Sequence, residues 1–334
     1  MSIPEHLIEK IQAIPEKPGV YMMKDFHGNI IYIGKSKCLN KRVRSYFYTN
    51  HEWSKIKRLV FNIHDINIII TDTHLEAQLL ECALIKKYIP IYNSQFVRDK
   101  NYVYLKIEDC GQNPLSIVYD RDGQYSFGPY RNKYYIYDLI EFLRKLYPIR
   151  KVGKSFDFDY HPLPITMDEK EFKENRKSLI ELFTNMASLK VFLDMLKNKM
   201  EEASLALNFE RASQLRDIYL SFEHLYRAQN NNISKDREII MGERIDDGYK
   251  LFYISDGNLI LKKKFNQIWV KDVQAFINRA IILRNNRISN KSEKSLMDFK
   301  SIINKELKNS YFKIIDEDFK ADEFIKGLAV KQKG

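Results

Sequence analysis

The sequence is poor in cysteine, and this excludes two common kinds of structural support. Its 334 residues include three cysteines, Cys38, Cys82 and Cys110. Because their number is odd and their spacing is wide, they predict neither a disulfide framework nor a cysteine-based metal site. A reducing compartment, the cytoplasm, is the simplest setting for such a chain.

Long hydrophobic runs are also missing. No run approaches the roughly 18 apolar residues of a membrane span. The first five residues, MSIPE, lack the charged start and apolar core of a signal peptide. We therefore expect no membrane partner. With 44% hydrophobic and 30% charged residues, the composition is typical of a folded globular chain.

Acidic residues are outnumbered by basic ones. The chain has 55 lysines and arginines against 44 aspartates and glutamates, a formal net charge of +11. A basic excess indicates a polyanionic partner, most often nucleic acid. A lysine-rich composition inherited from an A/T-biased genome would give the same excess, so charge alone leaves both interpretations open.

The order of the predicted elements indicates an α+β, multi-domain chain. Residues 14–100 are expected to form an α/β domain, a small central antiparallel sheet flanked by helices. Its strands are predicted at about 19–24 and 29–33, with a buried strand in 66–73. Its helices, with one that precedes the domain, are predicted at about 3–13, 38–47, 53–62 and 73–90.

The remaining residues divide into four predicted regions. We expect a β/α extension over 101–150, a linker and helix over 151–189, a helical hairpin over 190–228, and a small α+β region over 237–334. In the last region, strands are predicted at about 249–254 and 258–265, and helices at about 271–284 and 295–308. The pairs Asp247-Gly248 and Asp256-Gly257 are interpreted as turns.

Two tyrosines on neighbouring predicted strands suggest a chemical site. Tyr21 and Tyr32 are followed by Gly34 and a basic segment with Lys35 and Arg42. A phosphate can bind such cations and the amides of a helix start. Cations should also lower the pKa of a tyrosine and suit it to act as a general base. Considered alone, the tyrosines are more often core residues of strands.

Phosphodiester cleavage also needs positive charge at the leaving oxygen, which one divalent cation supplies. Magnesium prefers oxygen ligands, often one or two carboxylates and otherwise water. The predicted helix over 73–88 offers two candidates, Glu76 and Glu81. Thr73 can cap this helix with Glu76 at the capping-box position.

The predicted hairpin at 190–228 has two apolar stripes at helical spacing, with a break at Leu207-Asn208. The stripes comprise Leu193, Leu196, Met200, Ala203 and Leu207, then Phe209, Ala212, Leu215, Tyr219 and Phe222. So small a hairpin cannot bury both stripes by itself, so it needs a partner surface. That surface is either the rest of this chain or another protein.

Several motifs, in order, resemble the GIY-YIG nuclease domain, and most closely that of the UvrC family of excinuclease subunits. They are GVY, YIG, KSKCLNKRVRSYF and EAQLLECALIKKYIPIYN, between about Ile14 and Tyr104. The resemblance implies that Tyr32 is the general base and that Glu81, not Glu76, binds the metal. It assigns the remaining catalytic positions to Tyr21, Lys35, Arg42, Tyr46 and Asn93. Lys37, Lys41 and Arg44 are expected to bind DNA.

The stretch MEEASLALNFERASQLRD resembles the UVR motif, which in the family docks against a matching hairpin of UvrB. The resemblance places the UvrB-binding positions at Phe209, Glu210, Ala212, Leu215, Arg216 and Asp217. Residues 150–190 contain no cysteine, so we expect no iron–sulfur cluster there. Residues 246–265 are interpreted as a possible remnant of the family's RNase H-like second nuclease domain; no helix-hairpin-helix region is identified.

The resemblance implies a DNA endonuclease that makes a single incision in damaged double-stranded DNA during nucleotide excision repair. It would use one Mg²⁺ or Mn²⁺ ion and be recruited by UvrB. Two alternatives remain: a non-catalytic adaptor that binds UvrB and DNA, and a GIY-YIG nuclease of a mobile element outside repair.

Overall fold

The computed structural model describes residues 3–48, 54–96, 102–109, 114–161, 163, 165–230, 233–286 and 293–330. The chain forms two compact units. One combines residues 1–99 with residues 232–334, and the other consists of residues 100–231. The predicted nuclease domain is therefore not a separate body, because the C-terminal region belongs to the same unit. Cys110 lies outside the described residues.

The first part of the first unit follows the predicted order of elements. It comprises α1 (Glu5–Gln12), β1 (Gly19–Lys24), β2 (Ile30–Ser36), α2 (Leu39–Tyr48), α3 (Ser54–Phe61), β3 (Asp65–Ile70) and α4 (His74–Tyr88). The strands form one antiparallel sheet in the order β2-β1-β3. The predicted full burial of the third strand was wrong, since β3 is an edge strand and Ile70 is half exposed.

Helix α4 has two apolar faces, which serve two different cores. Ala77 and Ile85 pack with Val20 and Ile33 of the β1–β2 hairpin. Leu75 packs instead with residues of the C-terminal part of the unit. Helix α4 thus lies between the two sheets and contributes to both cores.

The C-terminal part of the first unit is built around a second antiparallel sheet, in the order β11-β10-β9-β12. Its elements are β9 (Glu238–Ile245), β10 (Gly248–Ser255), β11 (Asn258–Phe265), α9 (Val270–Asn285), α10 (Glu293–Leu307), β12 (Tyr311–Ile314) and α11 (Ala321–Val330). Helices α9 and α11 contribute to the core on one face, and α10 and α4 to the core on the other. The predicted Asp-Gly turns lie between these strands, with Gly248 and Gly257 at positive φ.

The second unit comprises β4 (Val103–Ile107), β5 (Leu115–Val118), β6 (Ser126–Tyr130), α5 (Lys133–Leu143), β7 (Ile149–Val152), β8 (Ser155–Phe158), α6 (Glu169–Thr184), α7 (Met186–Leu205) and α8 (Phe209–Asn230). The predicted linker, which was to begin at residue 151, was wrong up to residue 158, because β7 and β8 form a hairpin there. Among the described residues, no helix combines the length and apolar character needed to cross a membrane.

Candidate active site

Three tyrosine rings form a cluster beside the β1–β2 hairpin. Antiparallel register places Tyr21 opposite Gly34, and Tyr32 opposite Met23. Tyr46 comes from α2, and the three ring centroids lie 5.9 to 6.1 Å apart. The hydroxyls of Tyr21 and Tyr46 are hydrogen-bonded at 2.9 Å. The sheet and the following helix thus bring the two predicted strand tyrosines to one place with a third.

Arg42 contacts this cluster through the side chain of Tyr46. Its guanidinium carbon lies 5.1 Å from the centroid of the Tyr46 ring. Its Nη2 donates to the Tyr46 hydroxyl at 3.4 Å. A cation over an aromatic face is held by the ring quadrupole, so Tyr46 orients Arg42 while the guanidinium stays exposed.

The pKa of Tyr32 is raised, not lowered as the sequence predicted. Arg42 does act to lower it, but burial of the phenol and the neighbouring Tyr46 outweigh the cation. Burial likewise raises the pKa of Tyr21 and Tyr46. Desolvation disfavours the phenolate, so all three side chains are neutral phenols at neutral pH.

Glu81 is anchored to β2 from the opposite side. Its Oε1 accepts a hydrogen bond from the backbone N–H of Lys35 at 3.1 Å. Burial raises the pKa of Glu81 to about 7, although Lys35 and Arg42 act to lower it. Glu76, the other candidate, is directed elsewhere: its carboxylate pairs with Lys250 and Lys262.

A groove of about 390 Å³ joins these residues. Its lining includes Tyr32, Arg42, Tyr46, Glu81 and Asn93 of the predicted set, and Ser45, Lys55, Tyr92 and Gln95, which the sequence did not single out. The structure therefore brings Tyr32 and Glu81 to one groove from two different elements. Of the additional residues, Ser45 and Tyr92 lie within the quoted motifs, whereas Lys55 and Gln95 lie outside them.

Asn93 acts on the backbone of β2. Its Oδ1 accepts from the N–H of Ile33 and its Nδ2 donates to the carbonyl of Ile33, both at 2.9 Å. Because β2 lies at the edge of its sheet, the side-chain amide satisfies backbone groups that a further strand would otherwise pair. Asn93 thereby fixes the strand immediately after Tyr32.

Lys35 and His74 form a polar contact that the sequence did not predict. The Lys35 ammonium lies 3.4 Å from Nε2 of His74. Burial, together with Lys35 and Lys37, lowers the pKa of His74 to about 4. His74 is therefore neutral and accepts from Lys35. The side chain of Lys35 contacts His74, while its backbone binds Glu81.

Two of the helix-start amides that were expected to favour a phosphate beside Lys35 and Arg42 are engaged within the chain. The N–H groups of Leu39 and Asn40 donate to the carbonyls of Lys17 and Pro15 at 3.0 and 3.3 Å, so they are already engaged. Of the expected DNA-binding cations, Lys37 and Lys41 are exposed and Arg44 is partly exposed. Lys41 lies 3.7 Å from the exposed carboxylate of Glu16.

Comparison with known proteins gives two family matches. Residues 17–94 match the model of the UvrC-like GIY-YIG domain, and residues 190–217 match that of the UvrB/uvrC motif. The UvrABC system protein C of Caldanaerobacter subterraneus is 37% identical over 275 residues, which cover 76% of this chain and 44% of that protein. The protein of the same name from Clostridium novyi is 36% identical over 299 residues, 83% of this chain and 47% of that protein.

This chain belongs to the UvrC-like family. It spans less than half the length of these two UvrC relatives. The N-terminal GIY-YIG endonuclease domain of UvrC from Thermotoga maritima, solved with magnesium as its catalytic divalent cation, is 41% identical. That comparison covers 28% of this chain and 100% of the solved domain, with a TM-score of 0.26.

The UVR hairpin of this UvrC-like chain is formed by α7 and α8. Leu207 has a positive φ of 58° at the turn, as the predicted break requires. Leu215 is buried in the core of the second unit, so its predicted contact with UvrB was wrong for this structure. Phe209 is 64% exposed, next to the exposed Leu205 and Leu207. The remaining predicted positions, Glu210, Ala212, Arg216 and Asp217, are exposed or partly exposed.

Proposed function

We propose that the chain is an endodeoxyribonuclease of the UvrC type that makes one metal-dependent phosphodiester incision in damaged double-stranded DNA. The observation that carries this proposal is the shared groove of Tyr32, Arg42 and Glu81. A phenol, a guanidinium and a carboxylate supply the groups that water activation, phosphate binding and metal binding need.

Each residue has a stated role in this proposal. Tyr32 is the proposed general base: Arg42 and a bound cation would favour its phenolate, which takes one proton from the attacking water as the new P–O bond forms and the bond to the leaving oxygen breaks. The leaving oxygen takes a proton from solvent, and the Tyr32 phenol returns its proton to solvent. Tyr21 holds Tyr46 through the 2.9 Å hydrogen bond. Arg42 binds the phosphate, and Asn93 fixes β2. Lys37, Lys41 and Arg44 contact the DNA backbone nearby.

Glu81 is the proposed ligand of one Mg²⁺ or Mn²⁺ ion. No group of three or more His, Cys, Asp or Glu side chains suited to a metal occurs among the described residues. Magnesium fits a site with one carboxylate, since it retains several waters. The hydrogen bond from Lys35 fixes the Glu81 carboxylate, whose second oxygen can bind the ion. When bound, the ion neutralises charge on the phosphate and the leaving oxygen.

The UVR hairpin is the proposed docking site for UvrB. Its tip exposes Leu205, Leu207 and Phe209 together, at 84%, 74% and 64%. A cluster of exposed apolar side chains is typical of a protein-interaction site. Recruitment by UvrB would place the reaction in nucleotide excision repair, where the DNA substrate lies in the cytoplasm.

The test is cleavage of a lesion-containing duplex with Mg²⁺, with and without purified UvrB. We expect one incision per duplex, stimulated by UvrB. Tyr32→Phe and Glu81→Gln should each reduce cleavage at least about a hundredfold, whereas the matched changes Tyr48→Phe and Glu9→Gln, at exposed positions, should not. DNA and UvrB binding without incision would support the adaptor instead, and incision indifferent to UvrB would favour a nuclease outside repair.

A further inference from the structure

Helix α4 carries Glu81 on the side that faces the β1–β2 hairpin. Glu76 and Lys86 lie at equal separations before and after Glu81 in the sequence. At about 100° of rotation per residue, both project from the opposite side of the helix. That side faces the C-terminal module, defined as residues 238–330. The catalytic side and the anchored side of α4 are therefore distinct.

The first anchor precedes Glu81. The ammonium of Lys250, on β10, lies 2.6 Å from Asp72 Oδ2 and 3.1 Å from Glu76 Oε1. The side chains of Lys250 and Glu76 are only 9% and 5% exposed. Lys262 of β11 lies 2.6 Å from the same Glu76 oxygen, so the second sheet supplies two lysines to this buried carboxylate, as a charge removed from water requires. Lys250 also joins Asp72 and thereby fixes the first turn of α4 to the second sheet.

The second anchor follows Glu81. The Lys86 ammonium lies 2.8 Å from Asp298 Oδ2 of α10, and the Asp298 side chain is 4% exposed. Between the two anchors, Leu75 and Leu79 of α4 pack with apolar residues of the module. Their partners include Ile239, Met241, Phe252, Ile254, Ile303 and Leu307. The contact thus combines a buried apolar strip with an ion pair at each end.

We propose that the C-terminal module positions the Glu81 carboxylate, and that Lys250 and Asp298 are the positioning residues. They fix α4 on both sides of Glu81 without contacting the groove. Neither residue reaches the reacting atoms, so each acts on Glu81 only by holding helix α4 in place. This inference rests on the proposed function, because it concerns the metal ligand of the same site.

The variants Lys250→Met and Asp298→Asn in the full chain test this proposal. Lys264→Met is the matched control, because Lys264 also pairs with an aspartate, Asp247 at 2.7 Å, but on the more exposed β11. The first measurement is hydrogen exchange of the peptide that covers α4, without metal. We expect exchange to accelerate about tenfold in both test variants and to stay unchanged in the control.

The second measurement is Mn²⁺ binding by calorimetry or electron paramagnetic resonance. Displacement of Glu81 should raise the dissociation constant for Mn²⁺ about tenfold in both test variants, as loss of groups supporting a metal ligand does, and leave the control at the wild-type value. Unchanged exchange in α4, or faster exchange with unchanged Mn²⁺ affinity, would overturn the proposal.

Two further variants keep the outcome interpretable. If circular dichroism shows that Asp298→Asn does not fold, the double variant Lys86→Met/Asp298→Asn takes its place in both measurements. It removes both charges of the ion pair, and the expected results are the same. Glu81→Gln tests the proposed function separately: undiminished Mn²⁺ binding in that variant would refute Glu81 as the ligand. The exchange of α4 in the anchor variants would still report whether the module holds the helix.

Discussion

Gly34 explains how three tyrosines fit beside one hairpin. A Cβ atom added at Gly34 would lie 2.3 Å from the hydroxyl oxygen of Tyr21 and 2.4 Å from its Cζ. Real carbon atoms do not approach so closely, so any larger residue must displace the ring. Because Tyr21 holds Tyr46 and Tyr46 contacts Arg42, the glycine sets the geometry of the cluster without contributing a functional group.

Glu243 on β9 gives the stability of the first unit a dependence on pH. Burial, with Glu306 of α10 and Glu76 of α4, raises the pKa of Glu243 to about 7, against the lowering effect of Lys37. In the unfolded chain the value is 4.5. Between these values the folded state binds more protons, so the free energy of unfolding falls as pH rises.

The variant Glu243→Gln should remove the part of this decline that Glu243 causes and so reduce the slope, while Glu81, whose pKa is likewise raised to about 7, keeps its own part. We expect it to match the wild type at pH 4.5 and to be more stable by about 1–3 kcal/mol at pH 8. Urea unfolding at both pH values measures the difference. The matched change Glu317→Gln, at an exposed position, should leave the slope as it is, and equal slopes for Glu243→Gln and the wild type would contradict the assignment.

Helix α8 contributes both to the core of the second unit and to the exposed tip of the UVR hairpin. Leu215 is 1% exposed and belongs to the core of the second unit, whereas Phe209 is 64% exposed at the tip. Leu215→Ala should therefore destabilise this unit by about 2–5 kcal/mol, since it leaves a cavity. Phe209→Ala should change its stability little.

For binding to UvrB, we expect the opposite order: Phe209→Ala should have the larger effect and Leu215→Ala the smaller. We expect Phe209→Ala to weaken binding at least about tenfold, as loss of an aromatic anchor does. Surface plasmon resonance with UvrB, at a temperature where both variants are folded, makes the comparison. Wild-type affinity of the Phe209 variant would contradict a docking role for the tip.

The helices and strands of the first part of the chain could be predicted because their periods are local. The YIG strand, the capped α4 and the hairpin break at Leu207 all follow from residues within a few positions of each other. The β7–β8 hairpin was missed because its strands have four residues each. Such short strands, separated by a turn with Gly153, show no clear alternation of apolar and polar residues. The Tyr32 pKa was mispredicted because burial, which the sequence does not show, outweighs Arg42.

At the scale of the whole molecule, residues far apart in sequence share one core. The partners of Leu75 in that core come mainly from residues 239–307, and Lys250 binds Glu76 across a long separation. No local period reveals such contacts, so the sequence could not show that residues 1–99 and 232–334 share one compact unit. Tyr32, Arg42 and Glu81 of the groove lie in local motifs, while the support for α4 does not.

This organisation predicts two cooperative units. Leu75→Ala should lower the free energy of unfolding of the first unit by about 2–5 kcal/mol, equally for residues 19–36 and 238–265, and leave residues 186–225 unaffected. Native-state hydrogen exchange of the three segments measures this. Leu215→Ala is the matched control that should affect only the last segment. Independent changes in the first two segments would contradict a shared unit.

The first unit is formed by two stretches of sequence, residues 1–99 and 232–334, which the ribosome synthesises at different times. While the ribosome is translating residues 100–231, the nascent chain already contains Glu81, but Leu75 has not yet met its partners at residues 239–307. Domains fold as units as they emerge. The groove therefore acquires its full support only after the strands that follow the hairpin have been synthesised. A translation product that ends before residue 238 would carry Glu81 on a helix that lacks these contacts.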